Sequence, residues 1–282
     1  MTDDFEAHRS FLIGLAYRML GSVAEAEDVV QDAYLRWAAA DRTAIASPRA
    51  YLARIVARLC LDRMKSAVHR REQYVGTWLP EPLIGEPAAE PLADDLSIAL
   101  LMTLERLSPL ERAAFLLHDV FDMDYSAIAD VLDRSEPAVR QLATRGREHV
   151  RDERPRFSAS DEDRERLATA FQGAIASGDV DALARLLADD AVLYTDGGGK
   201  RQAALNPIYG RDKIVRFFAG VAAKNLRAFG APQIERAQIN GLPGFVIRIA
   251  NEPETLALEI AGDHVVAIYA VRNPDKLGHL RT

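Results

Sequence analysis

Residues Ser22 to Trp37 (SVAEAEDVVQDAYLRW) leave little choice of local fold. Ser22 and Glu25 have the S-x-x-E spacing of a capping box, in which each side chain satisfies a backbone donor that the first helical turn leaves orphaned. Val23, Ala26, Val29, Val30, Ala33, Tyr34 and Trp37 recur at helical spacing, so one stripe must face a core. Glu25, Asp28 and Asp32 make a second, acidic stripe. Carboxylates repel phosphate, so this face suits a protein partner better than a nucleic acid.

The 282 residues exceed one ordinary core and match two or three compact units of about 100 residues each. No apolar run approaches the ~20 residues that span a bilayer, and no basic, apolar leader opens the chain; both point to a cytoplasmic protein without a membrane partner. Cys60 is the only cysteine, which excludes an internal disulfide or a cysteine metal cluster and fits a reducing compartment. A net charge of −7 argues against indiscriminate coating of nucleic acid. The distribution says more. Between Ile45 and Arg71 seven basic residues face one acidic residue, whereas Glu72 to Leu100 holds six acidic residues and no basic one. That reversal, with Pro80, Pro82, Pro87 and Pro91, marks a non-helical linker.

Before the linker, Phe5–Leu20 reads as an amphipathic helix ended by Gly21. Ser47-Pro48 caps and starts another, which turns Leu52, Ile55, Val56, Leu59 and Met64 inward. Its opposite side carries Arg54, Arg58, Asp62 and Lys65, with Arg63 close by and His69, Arg70 and Arg71 beyond. A polyanionic partner explains this surplus; a solvated basic face explains it equally well. After the linker, Ser108, Pro109 and Glu111 give cap, first-turn proline and capping box for a helix burying Ala113, Phe115, Leu116, Leu117 and Val120. A second helix runs roughly from Asp124 to Leu132. Asp133-Arg134 makes a tight turn, in which Asp tolerates left-handed backbone, and Ser135 caps a third helix. That helix buries Val139, Leu142 and Ala143 and exposes Arg140, Gln141, Thr144, Arg145 and Arg147. The pattern describes a helix-turn-helix, in which Arg reads guanine and Gln reads adenine, or else an ordinary helical hairpin.

Taken together, residues 5–71 and 94–156 resemble the second and fourth regions of a bacterial extracytoplasmic-function (group IV) sigma factor. The resemblance rests on Ala24–Trp37, on Ser47–Val56, on Leu107–Leu117 and on Tyr125–Ala129 with the helix that follows. It implies that Glu25, Asp28, Gln31 and Asp32 dock on the clamp helices of the RNA polymerase largest subunit. It further implies that Arg54, Arg58, Arg63, Lys65, Arg70 and Arg71 melt and read the −10 element. Ser135, Arg140, Gln141, Thr144, Arg145 and Arg147 would enter the −35 major groove. The partners implied are core polymerase and double- and single-stranded promoter DNA. Two positions depart from the pattern. Arg58 stands where many relatives capture a flipped base with Asn, leaving the −10 preference open, and Asp133 replaces a common turn glycine.

Three further segments resemble signatures of one subgroup: Trp78-Leu79-Pro80-Glu81-Pro82-Leu83, Asp196-Gly197-Gly198-Gly199-Lys200 and Asn273-Pro274-Asp275-Lys276-Leu277. Such factors carry a fused C-terminal SnoaL-like (NTF2-like) domain, and the resemblance implies that its contacts with the linker regulate the factor in cis. The pattern itself agrees with α+β: two helices around Gly178-Asp179, a strand Ala191–Tyr194, a helix Ile214–Ala223, then strands 233–240, 244–250, 255–261 and 264–271. An antiparallel sheet curving around a cavity follows, with room for an unidentified small ligand. An active site does not. Asp263 and His264 are adjacent and point to opposite faces, Asp196 beside three glycines reads as a flexible turn, and the glycine run lacks P-loop spacing.

The sequence is therefore read as multidomain: region 2 over 1–74, linker over 75–93, region 4 over 94–156 and the regulatory domain over 157–282. Expected is a promoter-specificity factor, neither enzyme nor metalloprotein and without a cofactor. The alternative, a ligand-responsive helix-turn-helix regulator that binds DNA unaided, leaves the acidic helix without a use.

Overall fold

The computed structural model describes residues 3–41, 43, 45–71, 74–85, 97–152 and 159–280, with the backbone alone at 3, 4, 66–71 and 152. The chain divides into two compact units, residues 1–73 with 90–154 and residues 74–89 with 155–282.

The first unit is helical: α1 (Asp3–Leu20), α2 (Val23–Ala38), α3 (Pro48–Arg71), α4 (Ile98–Arg106), α5 (Pro109–Phe115) continued by a π turn, α6 (Tyr125–Leu132) and α7 (Glu136–Asp152). The caps lie where sequence places them. Ser22 Oγ accepts from the Glu25 amide, Ser47 Oγ from the Ala50 amide, and Ser108 and Glu111 close a reciprocal capping box. Leu12, Leu15, Ala26, Val29, Trp37, Leu52, Val56 and Met64 bury the inner faces of α1–α3. Leu104, Ala113, Leu116, Ile128, Val139 and Ala143 do the same for α4–α7. Arg112, 1% exposed, ties the two sets together: its Nη1 donates to the Met19 carbonyl (2.8 Å) and to Glu105 (2.6 Å).

Asp133 makes the tight bend between α6 and α7, at φ 52° and ψ 55°, the left-handed conformation that Asp adopts more readily than most residues. Gly146 lets α7 approach α5: a Cβ there would sit 2.8 Å from Phe115 Cβ and 3.3 Å from the Glu111 carbonyl oxygen. Gly146→Ala gains up to about 1 kcal/mol of helix propensity but overpacks by about 1–3 kcal/mol. The clash is with the root of a side chain, not its flexible end, so overpacking prevails. The variant should lose about 1–2 kcal/mol in denaturant unfolding; a midpoint equal to or above the parent's would contradict this packing.

The second unit is α+β: α8 (Asp161–Ser177), α9 (Val180–Leu186), β1 (Leu187–Asp196), β2 (Ile208–Tyr209), α10 (Arg211–Phe229), β3 (Gln233–Ile239), β4 (Leu242–Ile249), β5 (Glu252–Ala261) and β6 (His264–Val271). The sheet order is β2-β1-β6-β5-β4-β3. Asn240-Gly241, both at positive φ, form the two-residue β3–β4 turn. The expectation of an antiparallel sheet needs correction, because β1 pairs with β6 in parallel. A parallel neighbour requires a crossover rather than a hairpin, and the long path through α10 and β3–β5 supplies it. Leu167, Phe171, Leu183, Ile214, Phe245, Leu256, Leu258 and Ile268 form the core of this unit. No described helix is long and apolar enough to cross a membrane.

Candidate polymerase and promoter interfaces and the linker clamp

On α2 the acidic stripe stands clear of the core. Asp28, Gln31 and Asp32 are exposed and Glu25 is half-buried at the capped N-terminus. Sequence reasoning missed Leu35, 61% exposed and one further turn along the same stripe as Asp28, Gln31 and Asp32. Its spacing at i+7 from Asp28 was legible; its exposure was not, since the sequence alone could have assigned it to the core. An apolar side chain flanked by carboxylates is complementary to basic residues around an apolar patch.

The basic side of α3 is more engaged than the sequence suggests. Arg63 reaches back to α2, donating to the Glu25 carbonyl (3.1 Å) and pairing with Asp28 (3.6 Å) and Asp32 (3.3 Å). These pairs are partly exposed and worth about 0–1 kcal/mol each. Arg58 donates to the carbonyls of Asp130 (2.6 Å) and Val131 (3.2 Å), and Arg54 lies 3.8 Å from the Asp130 carboxylate. Those carbonyls belong to the last turn of α6, where a helix leaves acceptors unsatisfied and its dipole favours a cation. Arg58 therefore caps the first helix of the helix-turn-helix and Arg54 pairs with its Asp130, instead of projecting freely. Lys65 is exposed and paired with Asp62 at 3.2 Å. The side chains of Arg70 and Arg71 lie outside the described residues.

On α7, Val139, Leu142 and Ala143 are buried, and Ser135, Arg140, Gln141, Thr144 and Arg145 are exposed. Arg140 pairs with Glu136 (2.6 Å) and lies over the Tyr125 ring; Arg145 pairs with Glu111 (2.9 Å). Arg147 differs from expectation. It is half-buried, with Asp119 and the Tyr125 hydroxyl each 2.5 Å from its guanidinium. The Asp119 hydrogen bond raises its pKa further. Its geometry is that of a strut within the unit.

In the second unit, the three short segments singled out in the sequence meet. Asp196, at the end of β1, is fully buried. Its Oδ1 accepts from the Tyr74 hydroxyl (2.5 Å) and the Gly198 amide (3.0 Å). Its Oδ2 accepts from the Leu79 amide (2.9 Å) and Lys276 Nζ (2.8 Å). The expectation of a flexible turn at Asp196 is thus overturned. Lys276 also donates to the Leu79 carbonyl and lies 4.4 Å from the centre of the Trp78 ring. Asn273 donates to the Tyr74 hydroxyl (2.9 Å) and caps the Pro274–Lys276 turn through the Asp275 amide. Lys200 pairs with Asp275 at 2.6 Å.

The glycines serve close approach. A Cβ on Gly197 would lie 2.1 Å from the Arg201 carbonyl oxygen, and one on Gly198 would lie 2.3 Å from Asn273 Nδ2. Gly198 and Gly199 also have positive φ. Leu79, Pro80, Glu81, Pro82 and Leu277 are buried. Further on, Leu83 and Asn240 exchange two hydrogen bonds (2.9 and 3.1 Å), and Ile84 bridges Ile239 antiparallel, so the linker extends the sheet beyond β3. Tyr74 and Asn240 were not foreseen; only the Asn-Gly turn signal pointed toward Asn240. Among the described residues no cluster of three or more His, Cys, Asp or Glu could hold a metal ion.

Residues 5–70 match the model of sigma-70 region 2 and residues 97–150 that of sigma-70 region 4. The chain is 41% identical to the ECF RNA polymerase sigma factor SigJ of Mycobacterium tuberculosis, over 97% of this chain and 92% of that protein. It is 36% identical to the probable ECF RNA polymerase sigma factor SigI of the same species, over 65% of each. The crystal structure of the M. tuberculosis SigJ superposes with a TM-score of 0.77 at 37% identity, covering 99% of this chain and 98% of that one.

Proposed function

The chain belongs to the extracytoplasmic-function family of RNA polymerase sigma factors, and on that premise we propose a division of labour among its surfaces. It is a transcription initiation factor rather than an enzyme, with polymerase core and promoter DNA as its partners. The stripe of Glu25, Asp28, Gln31, Asp32 and Leu35 docks on the clamp helices of the largest polymerase subunit, in the bacterial cytoplasm. Arg54, Arg58, Lys65, Arg70 and Arg71 serve the −10 element, and Ser135, Arg140, Gln141, Thr144 and Arg145 serve the −35 element. Arg63 and Arg147 act as struts that hold α3 to α2 and α7 to the rest of its module. Because Arg58 caps α6 and Arg54 pairs with Asp130, α3 takes up DNA only after those contacts open.

The C-terminal domain regulates this factor in cis. One observation carries that reading: the buried Asp196 carboxylate gathers Tyr74, Leu79 and Lys276, so the linker is fixed by residues scattered from 74 to 276. A linker held this way limits the spacing available to the two DNA-binding regions. The cavity of the same domain, on this reading, offers room for a small ligand.

The DNA assignment is tested on holoenzyme. Gln141→Ala removes a side chain that pairs bidentately with adenine, a contact worth about 1–3 kcal/mol of discrimination, or roughly 5- to 150-fold. Preference for the cognate −35 element over a mutated one should fall by that factor while core binding is retained. Unchanged preference would remove Gln141 from the interface.

A further inference from the structure

The second unit contains a cavity of about 430 Å³, lined by Leu193, Phe218 and Ile247 and by Val221 and Leu226 of α10. Packed protein interiors leave few voids larger than a water molecule, whereas small-molecule sites have volumes of about 300–1,000 Å³. The polar lining includes Arg272. Its Nη2 pairs with Glu254 at 2.6 Å, so the guanidinium charge is already met. With the one cation of its lining already paired, the site suits an uncharged, largely apolar molecule better than a carboxylate.

The cavity also adjoins the linker clamp. Thr195 and Arg272 line it, and the next residue after each, Asp196 and Asn273, holds the linker. The two strand ends are joined by a hydrogen bond of 2.7 Å from the Arg272 amide to the Asp196 carbonyl. Whatever fixes the first member of each pair constrains the second.

We propose that this cavity is an effector site for an uncharged, largely apolar small molecule, and that its occupancy tightens the linker clamp. The biological meaning of a tighter clamp rests on the cis-regulatory reading above; the site itself does not. A test on the full chain without polymerase therefore keeps the two failures apart.

The probe is Nile red, an uncharged, largely apolar ring system. It should bind saturably, one per chain, with blue-shifted emission, and it should slow amide hydrogen exchange across residues 74–85. Val221→Trp, at a partly exposed lining position, should weaken dye binding at least about tenfold while the parent melting profile is kept. Absence of saturable binding, equal affinity in Val221→Trp, or binding that leaves exchange at 74–85 unchanged would each overturn the proposal. So would exclusion of the dye by self-association at higher protein concentration, which would make a second copy the occupant.

Discussion

Replacing Asp196 by alanine should free the linker and destabilise the C-terminal unit by about 3–5 kcal/mol, the usual loss when one partner of a buried ion pair is removed. The carboxylate is 0% exposed and holds four donors at 2.5–3.0 Å, among them the ammonium of Lys276, itself only 13% exposed. Alanine leaves that charge without its counter-ion, and the Leu79 amide and Tyr74 hydroxyl without their acceptor. Asp196→Asn keeps the shape and loses the charge, so it should fall between parent and alanine. Denaturant unfolding gives the energy, and the protection of the Leu79 amide reports the clamp directly. If the alanine variant is as stable as the parent and its linker amides are equally protected, the clamp contributes nothing.

The pH dependence of the clamp has a fixed sign. Burial, and then the hydrogen bond to Asp196, raise the Tyr74 pKa well above its ordinary value. A raised folded-state pKa means that the stabilisation is fully present below the unfolded value of about 10 and is lost as the pH rises beyond it. The Tyr74 hydroxyl therefore remains a donor at neutral pH. Protection of the 74–85 amides, corrected for intrinsic exchange, should show no loss traceable to Tyr74 between about pH 6 and pH 9. A loss in that window that disappears in Tyr74→Phe would contradict this.

The second large effect is expected at Arg112. Arg112→Ala should destabilise the helical unit by about 3–5 kcal/mol, because it strands the Glu105 carboxylate, whose side chain is 13% exposed, and orphans the Met19 carbonyl. The pair is not ideally satisfied, since Arg112 Nε and Nη2 are buried without hydrogen-bond partners in the structure. Replacing both charges by apolar groups of similar volume, as in Arg112→Met with Glu105→Leu, should therefore recover most of the loss. A double variant as unstable as Arg112→Ala would show that the hydrogen bond to α1, not the stranded charge, carries the cost.

Most of the fold was legible where its cause is local. Ser22, Ser47 and Ser108 announce their helices through backbone hydrogen bonds that span three residues, and the recurrence of Val139, Leu142 and Ala143 fixes the buried face of α7. What was illegible arises from distant partners. Asp196 and its glycines look like a loose turn until Asn273, Arg201 and Tyr74 are brought to them. The same holds for Arg58, Arg63 and Arg147, which look like free basic residues until α6, α2 and Asp119 supply acceptors. Arg112, next to a capping glutamate, carries no sign that it will be buried. The parallel pairing of β1 with β6 is likewise set by the path of the chain between them, not by the pattern of either strand.

The acidic stripe of α2 is proposed above to deliver this chain to polymerase core. Run-off transcription with purified core, comparing the parent chain with Asp28→Arg combined with Asp32→Arg, tests it most directly. The pairs these residues make with Arg63 are partly exposed and weak, so the variant should remain folded, as its melting profile will show. Promoter-specific transcripts with the parent, and their loss with the folded variant, are the expected result. Promoter-specific transcripts from the folded variant at the parent's level would contradict that docking role.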